Sequence, residues 1–272
     1  MSDHYAVIGN PIGHSKSPLI HTEFAKQTAQ DLDYVAIEIP LDDLENSLTK
    51  LQTDGLKGIN ITVPFKELAW QIVTTKSEHA QRAGAINTLI FNDDGSLTGD
   101  NTDGIGLCRD LVDNHHIELK DKRILLLGAG GAARGVIEPL LSYQPSELFI
   151  ANRTASKALQ LTELFDKFGN INGGGFNELS GSFDVIINAT AASLHGEVPP
   201  LPADILKPSS SCYDMMYSDT DTAFITWAKQ HGAAKTVDGL GMLIEQAAEA
   251  FRLWRGIKPD TQAVIALMRN KS

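Results

Sequence analysis

Cysteine is nearly absent from this chain: Cys108 and Cys212 are the only two in 272 residues. Neither stands in a CxxC or zinc-like spacing. A disulfide framework is therefore not expected, and a reducing, cytoplasmic compartment is. The eight histidines form no HExxH or other ligand cluster, so no metal is predicted. No apolar run reaches the length that a membrane span needs. No basic stretch with a long apolar core accompanies Met1-Ser2-Asp3-His4, so no signal peptide is expected. Basic residues are outnumbered, 23 Lys and Arg against 34 Asp and Glu, for a formal net charge of -11. That balance disfavours nucleic acid and anionic membranes as partners. It leaves room for a small anionic ligand in a locally basic pocket.

What is present is an alternation of short strand-like and helical segments, the pattern of an α/β fold with parallel strands. Strands are predicted at Tyr5–Gly9, Asp33–Ile39, Gly58–Val63 and Ala85–Phe91, the last entering the turn Asn92-Asp93-Asp94-Gly95. Helices are predicted at Pro18–Gln30, Leu41–Thr53 and Phe65–Thr75. A second unit begins near residue 103, with a helix over Asp103–His115. Strands follow at Lys122–Leu127, Leu148–Ala151, Phe183–Asn188 and Ser211–Asp214. Helices are expected from Ala132 and over Lys157–Phe168, the first kinked or ended early by Pro139. The glycines at 173–175 read as a loop. Leu243–Trp254 carries an apolar helical stripe, with Glu245, Glu249 and Arg252 on its other side.

The segment Gly128-Ala129-Gly130-Gly131-Ala132-Ala133 follows a buried strand and opens a helix. This is the setting that GxGxx(G/A) requires. The first glycine makes the tight turn, the second admits a pyrophosphate close to the backbone, and Ala133 permits close helix–strand packing. The helix N-terminus adds free N–H groups and partial positive charge. The competing reading is a flexible glycine turn without a ligand. At the end of the next strand, NAD enzymes usually carry an acid for the ribose 2′-OH. Here Asn152-Arg153-Thr154 and then Lys157 stand instead. Arg153, with Lys157 as a second point charge and Thr154 as a hydroxyl donor, suits the 2′-phosphate of NADP. A solvated basic surface is the alternative. The missing acid also counts against an S-adenosylmethionine methyltransferase.

Four further motifs supply hydroxyls, amides, a lysine and an aspartate. They are Asn10-Pro11-Ile12-Gly13-His14-Ser15-Lys16-Ser17-Pro18, Asn60-Ile61-Thr62-Val63-Pro64-Phe65-Lys66, Gly84-Ala85-Ile86-Asn87-Thr88 and Gly99-Asp100-Asn101-Thr102-Asp103-Gly104. Three of them lie at strand ends, where open α/β sheets hold ligands. Such a set suits a small polyhydroxylated molecule. With Asn188-Ala189-Thr190, Tyr213-Asp214-Met215-Met216-Tyr217 and Asp238-Gly239-Leu240-Gly241-Met242-Leu243-Ile244-Glu245-Gln246-Ala247, they resemble the shikimate dehydrogenase family over nearly the whole chain.

The resemblance implies reversible, NADPH-dependent reduction of 3-dehydroshikimate to shikimate in aromatic amino-acid biosynthesis. It implies an N-terminal α/β substrate domain at 1–102, completed by C-terminal helices at 239–272, and a Rossmann-like NADP-binding domain at 103–238. A cleft between the two, closing on binding, is the corresponding expectation. Lys66 and Asp103 look like the catalytic pair. Ser15 and Ser17 would hold the substrate carboxylate, and Thr62, Asn87, Tyr217 and Gln246 would complete the substrate shell with Lys66 and Asp103. Gly128, Ala129, Gly130, Gly131, Ala132, Asn152, Arg153, Thr154 and Lys157 would hold NADP. Met215, Gly239 and Glu78 would lie toward the nicotinamide. Small-molecule binding as a monomer or homodimer is implied.

Chemically, the pair makes sense. Hydride addition to a ketone leaves an alkoxide, which a lysine ammonium can protonate; the amine accepts in reverse. An ordinary surface salt bridge is the alternative for Lys66–Asp103. Turn and cap chemistry ahead of Pro18 is the alternative for Ser15 and Ser17, and His14 reads as structural. Two departures from the family pattern stand out. Lys157 replaces a frequent second arginine, and Ala191-Ala192-Ser193 follows Asn188-Ala189-Thr190 where Ser-x-Gly is common. Two other functions remain open: a quinate/shikimate dehydrogenase using NAD as well as NADP, and a non-catalytic NADP-binding protein. The absence of an acid after Asn152-Arg153 speaks against the first, and intact Lys66 and Asp103 against the second.

Overall fold

The computed structural model describes residues 2–202 and 204–270. Met1 and the last two residues of the expected returning segment, with Ala203 of the expected nucleotide-binding segment, lie outside them. The chain divides into two compact units, residues 1–106 with 244–272, and residues 107–243. The first holds β1 (Asp3–Gly9), α1 (Ser17–Thr28), β2 (Leu32–Glu38), α2 (Leu44–Thr53), β3 (Leu56–Ile61), α3 (Lys66–Ile72), β4 (Thr75–Lys76), α4 (Glu78–Ala83), β5 (Thr88–Phe91) and β6 (Leu97–Asp100). The chain passes into the second unit within α5 (Asp103–Arg109), which continues as one π-helical stretch over Asp110–Asn114. There follow β7 (Arg123–Leu127), α6 (Gly131–Ser142), β8 (Glu147–Ala151), α7 (Ala155–Phe165), β9 (Ile171–Gly174), β10 (Phe183–Asn188), β11 (Leu206–Asp214), α8 (Ala223–Gln230) and β12 (Lys235–Val237). The return to the first unit occurs within α9 (Leu240–Arg255), and α10 (Thr261–Asn270) closes the fold.

The first unit's sheet runs β2-β1-β3-β5-β6-β4. β2, β1 and β3 are parallel, and β5 runs antiparallel between β3 and β6. The C-terminal ends of β1, β3 and β6 and the start of β5 thus share one edge of the sheet. Ile8, Ile59, Ile61, Phe65 and Leu89 are buried at its centre. Each such side chain contributes roughly 1.5–3 kcal/mol on burial. Ala85, Ile86 and Asn87 precede β5 rather than belonging to it, and β6 was not expected. The polar turn after Phe91 closes a hairpin whose second strand, Leu-Thr-Gly-Asp, has little apolar content to reveal it.

The second unit's sheet is wholly parallel, in the order β12-β11-β10-β7-β8-β9. The step from β7 outward to β8 on one side and to β10 on the other is the switch point at which such sheets take nucleotides. Pro139 does not end α6, which runs to Ser142; it sits in the last turn, where its missing N–H costs one backbone bond. Gly173 and Gly174 lie in strand β9 and not in a loop. A Cβ on Gly173 would meet Thr162 Cγ2 at 2.9 Å and the Ile150 carbonyl at 3.1 Å. Glycine here marks a close approach rather than a turn. Among the described residues no helix is long and apolar enough to cross a membrane.

In α9 the structure corrects the expected polar face. Glu245 and Glu249 are buried, not solvated. Glu245 Oε1 accepts from Thr261 Oγ1 at 2.6 Å, and Glu249 Oε1 accepts from Arg252 Nε at 2.9 Å. Paired in this way, a carboxylate tolerates removal from water. Trp254 donates its indole N–H to the Leu89 carbonyl at 3.0 Å, tying α9 to β5.

His21 of α1 is fully buried and stacked on Tyr34, the ring centroids 4.1 Å apart. Asn60 is its polar neighbour, yet neither ring nitrogen has a partner of hydrogen-bond geometry. Burial lowers its pKa from 6.5 to about 3. The native imidazole therefore stays neutral while the unfolded chain takes up a proton. Stability is lost as pH falls below 6.5, by at most about 1.4 kcal/mol per unit, and the loss levels off near the folded value. Melting temperature is expected to drop between pH 6.5 and 3 more steeply in the parent than in His21→Leu. Parallel curves would reject this account.

Candidate active site

In the first unit, four chain segments bring polar side chains to the shared sheet edge. Lys66 opens α3, directly after the turn closed by Phe65 N–H on the Thr62 carbonyl at 3.0 Å. Its Nζ lies 2.6 Å from Asp103 Oδ2, with the side chains 24% and 9% exposed. This is a largely enclosed pair, in which Coulomb attraction is less screened than at the surface. Asp103 is held from two sides. Its backbone N–H donates to Asn101 Oδ1 at 3.1 Å, and Asn101 Nδ2 donates to the Ala85 carbonyl at 3.0 Å. Its other carboxylate oxygen, Oδ1, accepts from Asn87 Nδ2 at 2.8 Å.

Asn87 is the junction of the cluster. Its amide nitrogen also faces Thr102 Oγ1 at 3.0 Å and Gln246 Oε1 at 3.3 Å. Its oxygen accepts from the Thr102 backbone N–H at 2.9 Å. Lys66, Asn87, Asp103 and Gln246 are thus assembled around one point, although Gln246 arrives from α9. Asn101 and Thr102 also join the cluster, and neither was singled out from the sequence. The signal was available: both are polar residues inside the motif that leads into Asp103.

The remaining first-unit candidates are placed nearby in topology but make no side-chain hydrogen bond to this cluster. Ser15 and Ser17 lie between β1 and α1, and Ser15 Oγ accepts from the Ser17 backbone N–H at 3.3 Å. That is the turn chemistry anticipated as the alternative, and it leaves the Ser15 hydroxyl hydrogen uncommitted. Ser17 is buried and His14 exposed. Thr62 follows β3, its N–H donating to the Ile8 carbonyl at 3.0 Å. The loops after β1 and β3 touch, Asn10 N–H donating to the Val63 carbonyl at 3.2 Å. Glu78 is on the surface of α4, paired with Arg82 at 2.6 Å.

In the second unit the glycine turn joins β7 to α6. Gly128 has φ +108°, a conformation that a side chain would strain, and a Cβ there would meet Thr190 Cγ2 at 3.1 Å. Gly130 caps α6, Gly131 begins it, and Ala133 is fully buried against the sheet. Ala129 and Ala132 pack on the same core. The first-turn N–H groups of α6 have no i−4 carbonyl to bond and face outward from the helix end. After β8, Asn152 Nδ2 donates to the Thr154 carbonyl at 3.0 Å, shaping the loop. Arg153, Thr154 and Lys157 are exposed. Neither cation has a side-chain partner among the described residues, so both can receive an anion without breaking a bond.

The departure after Thr190 has a structural answer. Ser193 Oγ donates to Asp214 Oδ2 at 2.7 Å, and Asn188 Nδ2 donates to Asp214 Oδ1 at 3.1 Å. Thr190 Oγ1 closes on Asn188 Oδ1 at 2.7 Å. The loop is held although Ser-x-Gly is missing. Burial raises the Asp214 pKa, against hydrogen bonds from Thr222, Ser193, the Met216 N–H and Asn188 that lower it. Beyond β11, Met215 is buried and Gly239 N–H donates to the Met216 carbonyl at 3.0 Å. Tyr217 is half-buried; burial first, then the charge of Asp219, raises its phenol pKa.

A doubly wound parallel sheet with a glycine turn at its switch point, together with an α/β unit carrying an enclosed lysine–carboxylate pair, has the layout of a nucleotide-dependent enzyme. Comparison with known proteins narrows the class. Residues 7–89 match the family model for the shikimate dehydrogenase substrate binding domain, residues 110–195 that for shikimate / quinate 5-dehydrogenase, and residues 239–269 that for the shikimate 5′-dehydrogenase C-terminal domain. The shikimate dehydrogenase (NADP(+)) of Alkalilimnicola ehrlichii is 54% identical over 269 residues, covering 99% of both chains. That of Dechloromonas aromatica is 55% identical over 272 residues, covering 100% of this chain and 99% of its own. Among solved structures, an Ael1 enzyme from Pseudomonas putida aligns with a TM-score of 0.93 at 49% identity, covering 98% of each chain. The shikimate 5-dehydrogenase of Thermus thermophilus, in complex with NADP(H) and shikimate, aligns at 0.88 and 33% identity, covering 98% of this chain and 99% of that one. The chain belongs to the shikimate dehydrogenase family.

Proposed function

We infer that this chain catalyses the reversible reduction of 3-dehydroshikimate to shikimate with NADPH, a step of aromatic amino-acid biosynthesis. The observation that carries the reading is the enclosed Lys66–Asp103 pair, braced by Asn87. NADPH, when bound, supplies the hydride. The ketone oxygen then gains negative charge, and the Lys66 ammonium is the proton donor; in the oxidative direction the amine takes the proton back. Asp103 orients Lys66 and accepts from a substrate hydroxyl. Asn87, Gln246, Thr62 and Tyr217 complete the substrate shell, with Ser15 and Ser17 donating hydroxyls to the carboxylate. The first unit is the substrate domain and the second the NADP domain.

The residues present suit the cofactor. The glycine turn and the α6 N-terminus fit a pyrophosphate, and the exposed Arg153 and Lys157 fit a 2′-phosphate. Met215 and Gly239 belong to the nicotinamide end, and Glu78 is assigned there on family resemblance alone. The protein works in the cytoplasm as a monomer or homodimer.

The decisive assay is NADPH oxidation on addition of 3-dehydroshikimate, with NADH as the control. Turnover with NADPH and markedly less with NADH is expected. No oxidation of either would sink the reading, and equal rates on quinate with NAD would favour the dual-specificity branch.

A further inference from the structure

Behind Asn87 the polar residues continue into the body of the first unit. Tyr34 of β2 donates its hydroxyl to Asn60 Oδ1 at 2.7 Å. Asn60 of β3 donates through Nδ2 to Thr88 Oγ1 at 3.1 Å and to the Asn87 carbonyl at 3.2 Å. Thr88, the first residue of β5, donates its hydroxyl to Asn87 Oδ1 at 2.8 Å. Asn87 Nδ2 then donates to Asp103 Oδ1, whose partner oxygen takes Lys66. Tyr34, Asn60, Thr88, Asn87 and Asp103 are all buried.

The direction of this chain follows from elementary hydrogen-bond chemistry. The Thr102 backbone N–H can only donate, so the Asn87 atom that it meets at 2.9 Å is the amide oxygen. The nitrogen must therefore face Asp103. The Thr88 hydroxyl has one hydrogen; accepting from Asn60 leaves that hydrogen for Asn87. Every donor from Tyr34 onward points toward the carboxylate, and bonds aligned head to tail strengthen one another. Asn60 and Thr88 are cross-strand neighbours on β3 and β5. An apolar pair at that buried position would pack without the desolvation cost of two polar side chains.

We propose that Thr88, with Asn60 behind it, is a positioning residue for the reaction: it holds the Asn87 amide as a donor to Asp103, which keeps the second carboxylate oxygen directed at Lys66. The assignment rests on the reading of Lys66 and Asp103 as the proton-exchanging pair. Thr102 also holds the Asn87 oxygen, so loss of Thr88 loosens Asn87 without releasing it.

Thr88→Val keeps the side-chain shape and removes only the hydroxyl. It is expected to lower kcat about tenfold, the scale of one hydrogen bond in such a network. KM for NADP should be unchanged, and Thr88→Ser should restore kcat to within about twofold of the parent, since the hydroxyl alone is required. A parental kcat in Thr88→Val overturns the proposal. So does Thr88→Ser as slow as the valine variant, or an equal loss in kcat and in NADP affinity, which would mark general loosening. Should Thr88→Val fold too poorly to assay, Thr88→Ser against Thr88→Ala makes the same comparison, and equal rates overturn it. Lys66→Ala measured alongside separates the two readings. A parental rate there removes the acid–base assignment itself. A lost rate there with an unaltered Thr88→Val removes only the positioning role.

Discussion

Lys66→Ala is expected to lower kcat for 3-dehydroshikimate reduction by about 10²–10⁴-fold, the usual contribution of a positioned acid–base group, while NADP binding stays within about twofold of the parent because the variant touches no proposed cofactor contact. The split follows from where the residues sit. Lys66 opens α3 in the first unit, whereas the glycine turn and the cations after β8 belong to the second, which has its own core. Loss of the lysine leaves Asp103 with its bond from Asn87, so the carboxylate is not stranded. Lys66→Arg sharpens the test. It keeps the positive charge but cannot release a proton near neutral pH. It should therefore remain slow if proton exchange is the role, and recover if a fixed charge is all that is needed. Turnover kinetics, with cofactor binding followed by fluorescence, check both. A Lys66→Ala enzyme running near the parental rate would remove the assigned role.

Arg153→Ala is expected to weaken NADP by about 10–100-fold, the worth of a charge-assisted, forked contact to a phosphate. NAD, which lacks the 2′-phosphate, should bind almost as before. Arg153 is exposed and has no side-chain partner among the described residues, so its removal breaks no contact there and stability should be unchanged. Lys157→Ala should act in the same direction but less, because an ammonium is a single point charge on a flexible stem. Raising the salt concentration should narrow the NADP advantage, since exposed charges are screened. Dissociation constants for the two cofactors, measured side by side, decide. Equal weakening of both would end the 2′-phosphate assignment.

The glycine turn was legible in the chain alone because its physics is local. A buried strand, a residue able to hold positive φ and a helix start all fall within about ten residues, and Gly128, Gly130 and Ala133 sit in the structure as that pattern requires. The cations after β8 were legible for the same reason. The motifs of the first unit could be seen individually, and the family resemblance said which residues to watch, but their mutual geometry could not be read. Asn87 reaches Asp103 only because β5 and β6 form a hairpin, and Gln246 reaches Asn87 across 159 positions of sequence.

Other features were misread because the deciding partner is remote. Glu245 looks solvated on a helical stripe, yet Thr261 of the next helix makes its burial tolerable. Gly173 looks like a loop residue until Ile150 and Thr162 are placed against it. Thr88 and Asn60 carry no sign in sequence of facing each other. The amino-acid order by itself determined most of the local elements, the glycine turn and the chemical inventory, because these depend on neighbours in the chain. Only the tertiary structure decided which hydroxyls and amides converge on Asp103 and in which direction they donate, because a hydrogen bond needs two partners in place at once.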